Sequence, residues 1–392
     1  MSKLNYIKEW LRNFRDIALD ELRGIVRDGG VMLIFTIGAL GYPLLYSYIY
    51  SHGVLENTAV AVVDAANCPE SRRYIRELDA TRELDVRYKC ASMEEAERLM
   101  QRRKVNGIVY FPEDYGDRLV RGETAKISIY ADMSSFLYYK NLLLGANFVM
   151  LDEMKHIQLE HGITEPLRYE ENNPYNRTFS YTIFFLSAAL LLIIQQTMFY
   201  GMSLRAGTMR EENRSFATLT DSLQGVGVGR VVLGRGAAYA LIYLLISVYI
   251  ACIVPAIFGL PQRGSYWDIL VLLLIYVVDC ILFSETWSTL ITRRETVFVL
   301  FLFMSPIAIF LTGFSWPVTA FPKFWKLFSY IFPSTFACQA FINLNTAGGD
   351  LSTVQPQLGA LVLQSAAYYF LATVAVFLEN RVIKLRQRYG TA

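Results

Sequence analysis

Three charged residues stand where charge is costly. Asp279 and Glu285 fall inside the apolar run 268–290, and Arg235 inside the run 231–257. An ionisable side chain in hydrocarbon must face protein, water or an opposite charge, which makes each a functional candidate. Glu285 is six residues beyond Asp279, or about 9 Å along a helix. Antiparallel runs would set Arg235 at a similar depth, so the spacing predicts a Glu285–Arg235 pair. Asp279 reads either as a functional carboxylate or as a neutral acid bonded to a neighbouring helix. Gln195 and Gln196, adjacent in a further run, can line a polar path or tie helices together.

Enzyme chemistry is thinly represented. There are only three histidines. Two of them lie in "HIQLEH" (His156–His161), whose spacing matches neither H-E-x-x-H nor H-x-x-E-H, so no metal site is assigned. No nucleophile stands beside a base, and no catalytic residue is assigned. G-x-x-x-x-G-K-[ST] is absent, and "GVGVGR" (Gly225–Arg230) lacks both the lysine and the preceding strand. Cys68 and Cys90 follow segments that read as neighbouring strands, which makes them the candidate disulfide in an oxidising compartment. Cys252, Cys280 and Cys338 read as small apolar fillers.

The elements that position these residues are membrane spans. The 392 residues are 54% hydrophobic and 18% charged, with mean hydropathy +0.30. Net charge is only +2, which gives no basic excess for nucleic acid. The apolar residues bunch into six runs of near-bilayer length, about 20 residues: 31–50, 180–203, 231–257, 268–290, 297–313 and 357–379. "FLYYKNLLLGANFVML" (Phe136–Leu151) is excluded. A central lysine costs about 2.5–3.5 kcal/mol on insertion, and extension brings in Asp152, Glu153 and Lys155, so this stretch reads as an amphipathic helix. The fold class expected is an α-helical polytopic membrane protein, six transmembrane helices, with an inserted α/β extracytoplasmic domain. With both termini cytoplasmic, the short outer loops hold only Arg263, Lys323 and Lys326, and the other short-loop arginines and lysines fall inside, as the positive-inside rule asks. That orientation puts 51–178 outside.

Residues 1–30 show no short apolar core and no small-residue cleavage site. Leu4, Ile7, Leu11, Phe14, Ala18, Leu22 and Ile25 recur at helical spacing, which predicts an interface helix along the membrane surface with Trp10 and Phe14 dipping in. Within 51–178, strands are expected at "TAVAVVD", "DVRYKC", "VNGIVYF" and "AKISIYAD". Helices are expected between them, one entered at Pro112, with a long helix following, and the whole makes a small α/β layer. Residues 314–343 carry Phe314, Trp316, Pro317, Phe324, Trp325 and Pro333. They are too broken by proline to span, and they fit an aromatic, partly re-entrant outer segment able to gate release.

One segment remains. Between two apolar runs, Arg205–Arg230 is compact, charged and helix-prone, more than a connection requires. Arg210, Glu211, Glu212 and Arg214 offer rim charges, and Phe216 and Leu219 an apolar anchor on one face. The bland reading is a solvated loop with positive-inside arginines.

These features together resemble the permease subunits of the ABC-2 export family, in the branch with a large domain between spans one and two. "ELRGIVRDGG" (Glu21–Gly30) resembles the family's entry to span one. "GIVYFPEDYGDRLVRGETAKISIYADMS" (Gly107–Ser134) resembles its strand running into Pro-x-x-Phe/Tyr. "MREENRSFATLTDSL" (Met209–Leu223) is similar to its Arg-Glu-x-Gly-Thr-x-Glu segment, departing at Asn213-Arg214-Ser215, Asp221 and Ser222. "LITRRETVFVLFLFMSPIAIFLTGFSWPVTAFPKFWKLFSYIFPSTF" (Leu290–Phe336) resembles its Ser/Thr-Gly-Phe-x-x-Pro exit from span five. The resemblance implies residues 1–30 as interface helix, 31–50 as first span, 51–178 as outer domain, and 179–392 as the remaining spans with a coupling helix at 205–225. It implies an exporter subunit in a bacterial inner membrane that binds no cofactor itself. Energy would come from a separate ABC ATPase subunit, which holds ATP and Mg. A second permease copy, alike or related, would complete the path, and a periplasmic adaptor is a further partner the family suggests. A non-transporting envelope or secretion-apparatus scaffold on the same fold is the alternative reading.

Overall fold

The computed structural model describes residues 3–50, 55–132, 136–160, 181–212, 227–260, 262–313 and 316–389. The chain divides into two units, one of residues 1–53 and 174–392, the other of residues 54–173.

The 54–173 unit follows the alternation expected. Its elements are β1 (Thr58–Asp64), α3 (Pro69–Ala80), β2 (Leu84–Cys90), α4 (Met93–Gln101), β3 (Gly107–Phe111), α5 (Tyr115–Val120), β4 (Ser128–Ala131) and α6 (Phe136–Glu160). The sheet order is β2-β1-β3-β4. β1 runs parallel to both neighbours, and β4 closes one edge antiparallel. "TAVAVVD" is apolar at both parities because β1 is central and covered on both faces. Val60 and Val62 pack with Tyr74, Leu78 and Leu142 of α3 and α6. Ala61 and Val63 pack with Ala96 of α4. The excluded stretch 136–151 lies in α6, a helix of this unit. It buries Asn141, Leu142, Ala146, Val149 and Glu153, a stripe at three- and four-residue spacing. Pro112 sits ahead of α5 as the acceptor of a turn bond from Tyr115, 3.1 Å, and not at the helix entrance.

The expected Cys68–Cys90 disulfide is not formed; both thiols are free. β1 and β2 are neighbours, as that reading needed, and Cys90 lies beside Val63 in register. Cys68, however, lies past the end of β1 at the N-cap of α3. There its sulfur accepts from Ser71 N, and Ser71 Oγ accepts from Cys68 N.

In the other unit, α1 (Lys3–Arg27) precedes α2 (Gly29–Ile49), α7 (Tyr181–Glu211), α8 (Val228–Ile257), α9 (Tyr266–Ser288), α10 (Thr296–Leu311), α11 (Lys323–Ser329), α12 (Pro333–Thr346) and α13 (Gln355–Tyr389). Five of these, α2, α7, α8, α9 and α13, are long and apolar enough to cross a membrane. α10, at 16 residues, measures about 24 Å, short of a core of about 30 Å. α11 and α12 meet at 85°. Of the six runs expected to span, five form long apolar helices, and the run 297–313 forms only a short one. Gly313 stops α10 with φ +79°, a left-handed position that suits glycine.

Two spans carry a widened turn, and proline explains both. In α2 the helix is wound wide over Ile34–Gly41, with Tyr42 N bonded five residues back to Ile37 O; Pro43 follows. In α8 the same happens over Tyr249–Ile253, just before Pro255. A proline inside a helix removes one N–H and crowds the carbonyl four residues back, and a wide turn relieves both.

α9 is the hub, packed by α7, α8, α12 and α13. α1 lies along α8. Ile17, Glu21 and Ile25 are buried, and a Cβ at Gly234 would approach Ile17 Cγ2 to 2.8 Å. Of the stripe expected on α1, Ile25 is buried and Leu22 packs against the bundle, Leu11 is exposed, and half-buried Trp10 and Phe14 stack at 5.4 Å.

Candidate functional site

The site grows from the place where α1 meets the bundle. Arg235 of α8 is almost fully buried, and its Nε and Nη2 each donate 3.2 Å to Glu21 of α1. The Tyr239 hydroxyl donates to the same carboxylate at 2.8 Å. Burial by itself would raise the Glu21 carboxyl. The charge and hydrogen bonds of Arg235, the nearby Arg205 and the tyrosine bond hold it below its ordinary value. This corrects the predicted Glu285–Arg235 pair. Glu285 lies within Coulomb reach of both Arg235 and Glu21, but neither of its oxygens has a hydrogen-bond partner among the described residues. The reason is that α1 docks on α8 and brings its own carboxylate.

About two turns further along, Asp28 joins three elements. Its Oδ1 accepts from Gly30 N, Val31 N and Arg294 Nη2 at 3.1, 3.4 and 2.9 Å, which caps the start of α2. Its Oδ2 accepts from Thr208 of α7 at 2.8 Å. The end of α7 is fastened a second time. Arg210 donates to Glu379 of α13 at 3.0 Å and to the carbonyls of Ser288 and Thr289 at 3.3 and 2.6 Å. Glu211 accepts from Arg294 N at 2.8 Å. Gly207 permits the approach, since a Cβ there would lie 2.8 Å from the Arg294 backbone. Arg210 is therefore half-buried and held within the chain, while Glu211 and Glu212 are both exposed. Arg214, Phe216 and Leu219 lie outside the described residues, as does most of the 205–225 coupling segment.

Deeper in the bundle, Gln195 Oε1 accepts from Ser334 N at 2.6 Å, satisfying a first-turn amide of α12 that Pro333 opens. Gln196 exchanges two bonds with Ser305 of α10, at 3.0 and 3.3 Å. These residues split the two readings made of the glutamines: both tie helices, and Gln196 also lines a cavity. That cavity, about 450 Å³, lies among α2, α7 and α10 and is walled mostly by apolar and aromatic side chains, with Tyr42, Tyr46, Tyr200, Phe298 and Phe301 around Gln196, Thr197 and Ser305. Asp279 is fully buried beside Ser365 of α13, and neither oxygen has a hydrogen-bond partner among the described residues.

Residues 30–374 match the family described as ABC-2 family transporter protein. The chain belongs to that family. An ABC-2 transporter protein is the membrane component of an ABC transporter, multi-pass and not itself the catalytic subunit, and the family works in general with an ABC ATPase. No curated protein matches the chain significantly.

In this ABC-2 transporter the aromatic segment is a bent helix pair. Trp316, Phe324 and Trp325 are exposed, and Pro333 is buried at the bend. Pro317 precedes a short turn at Val318–Ala320; Phe314 lies outside the described residues. Ring contacts run inward from Phe324 through Phe328 and Phe332 to Phe283 of α9, at 6.2, 5.7 and 5.9 Å. In the 54–173 unit, His156 approaches Asp152 at 3.9 Å and shares a patch with Glu77. Burial and the neighbouring Glu153 and Asp152 raise the Glu77 carboxyl, and Arg73 pairs with Glu153 alongside. His161 lies outside the described residues. Glu21 and Asp28 are site residues that sequence reasoning misses. The signal for Glu21 is present: Ile17, Glu21 and Ile25 repeat every four positions, which places a carboxylate in an apolar stripe.

Proposed function

We propose that the ABC-2 transporter exports a hydrophobic or amphipathic substrate from a bacterial cytoplasm or inner membrane, driven by nucleotide closure on a separate ATPase that contacts the segment 205–225. Both termini are cytoplasmic in this reading and residues 51–178 are outside. Two copies, alike or related, enclose the path. ATP and Mg belong to the ATPase. A periplasmic adaptor has its natural place on the outer domain, and 314–343 gates release. The observation that carries this reading is the clamp around Arg210. A push on the 213–226 segment reaches α9 and α13 through Arg210, the 289–295 turn through Glu211, and α1 and α2 through Asp28 and Arg294. A load applied at one lever is thus shared by the helices that wall the bundle. An ATPase can shift the conformational equilibrium only through contacts that differ between states. Exposed Glu212 and the segment beyond it supply these, and Arg210 passes them on. The aromatic cavity supports an apolar cargo.

The test is affinity purification of the tagged transporter from native membranes, followed by ATP hydrolysis in liposomes with and without candidate cargo. A co-purifying ATPase, lost when 213–226 is replaced by a Gly/Ser linker in a chain that still inserts, is the expected result. Retention of the ATPase by that variant, or failure of the intact chain to retain one, overturns the reading. ATP hydrolysis without movement of any cargo would favour the scaffold.

A further inference from the structure

We propose that the polar pocket between α1, the start of α2, the end of α7 and the 289–295 turn binds a phosphate group at the membrane boundary. The proposal does not depend on the direction of transport or on the coupling reading.

The pocket holds about 560 Å³ and is lined by Arg23, Arg27, Arg205 and Arg294, with Thr208 and the acids Asp20, Asp28 and Glu212. Two of these charges are already spent on each other, since Arg294 donates to Asp28 at 2.9 Å and the remaining capacity of Asp28 goes to Thr208 and two backbone amides. Glu21 lies within Coulomb reach of Arg205, but its oxygens are taken by Arg235 and Tyr239. That leaves Arg23, Arg27 and Arg205 facing Asp20 and Glu212, a net positive pocket.

Arg205 points to a ligand. It is only 9% exposed, and its Nε has no hydrogen-bond partner among the described residues. A guanidinium is always charged and carries five donors in a planar fork. Leaving one of them buried and unpartnered is costly, more so on a charged group. The chain has made room for this cation, because any side chain at Gly24 would collide with its Nη2, Cζ and Nε. Asp20, Arg23, Gly24 and Arg27 fall on one face of α1 by their three- and four-residue spacing, so the α1 arginines share the side on which Arg205 lies.

The chemistry favours phosphate. Guanidinium forks match its oxygens, and a tetrahedral anion can take donors from three directions. A lone carboxylate would leave most of the volume empty. The position also fits. Arg27 and Asp28 immediately precede Gly29, where the first apolar helix begins, which is the level of lipid headgroups. Basic pockets between membrane helices at that level are suited to headgroup phosphates. A lipid headgroup and a free phosphate share this chemistry, and a bound phosphate of either origin would pin α1 and the end of α7 together at the base of the coupling segment.

The experiment uses the delipidated full-length transporter in neutral detergent at constant ionic strength. Thermal unfolding is followed while phosphatidylglycerol, diacylglycerol or inorganic pyrophosphate is added, and native mass spectrometry counts bound phosphatidylglycerol. A saturable rise in Tm with phosphatidylglycerol and not with diacylglycerol supports a headgroup site. A saturable rise with pyrophosphate alone supports a soluble phosphate. The variant R23Q/R27Q changes two exposed residues and should weaken the apparent affinity by at least about tenfold. R12Q/R15Q removes the same charge from α1 outside the pocket and should leave it unchanged. No saturable response to either phosphate compound, or an equal loss in the two variants, overturns the proposal.

Discussion

Glu21 and Arg235 are buried together, and each makes the other tolerable. Removing one partner leaves an uncompensated charge in a dry place, so Glu21→Ala or Arg235→Ala should cost about 3–5 kcal/mol of stability. Glu21→Met with Arg235→Met should cost much less than either single change, because neither charge is stranded. Thermal unfolding in detergent checks both. The pH dependence has a definite sign. The folded Glu21 carboxyl sits below its ordinary value of 4.5, so its contribution is present above that value and is lost as pH falls through the lower folded one. Stability attributable to Glu21 should be flat from neutral pH to about 5 and then decline, and Glu21→Gln should abolish that part of the decline. The two glutamines separate in the same way. Gln195→Leu strands the buried Ser334 amide and should cost about 1–3 kcal/mol. Gln196→Leu, at the cavity wall, should leave stability closer to wild type and alter whatever occupies the cavity.

At the scale of elements, close packing sets the limits. A Cβ at Gly201 of α7 would collide with the Phe35 ring of α2. Gly201→Ala should therefore destabilise by about 1–3 kcal/mol through overpacking, and Phe35→Leu in the same chain should recover part of the loss; equal melting of Gly201→Ala and wild type would refute the contact. The elements themselves are largely legible in the sequence. The central strand β1 reads from continuous apolarity, and α6 is told from a span by Lys140, Asn141 and Asn147 within sixteen residues. Less legible is the stripe of α1, because a face counted from apolar residues alone leaves out a buried carboxylate. The face packed on α8 carries Glu21, whose partner lies more than two hundred residues away. The shortness of α10 is visible already in its run, 297–313, which is the briefest of the six.

At the scale of the whole molecule, the two units make separate predictions. Residues 54–173 have their own sheet and two buried clusters, so the isolated fragment should fold in water and unfold cooperatively by circular dichroism. A fragment without a sharp transition would show that it needs the rest of the chain. Orientation is open to single-cysteine labelling in a cysteine-free background. A cysteine at Glu212 should react from the cytoplasmic side only and one at Lys104 from the outside only, and the reverse pattern would overturn the proposed topology.

Composition and run length by themselves determined that this chain spans a membrane, because about 20 apolar residues have no other stable home. The order and spacing of motifs along the chain were enough to point to the ABC-2 family. The alternation at 58–131 fixed an α/β unit, since periods of two and of 3.6 residues cannot be exchanged. Only the tertiary structure decided who pairs with whom. It gave Arg235 to Glu21, Arg210 to Glu379, and Gln195 to a backbone amide, and it left Cys68 capping a helix. Each of those choices depends on how two distant segments approach at close range, and periodicity along one helix carries no information about the face another will present.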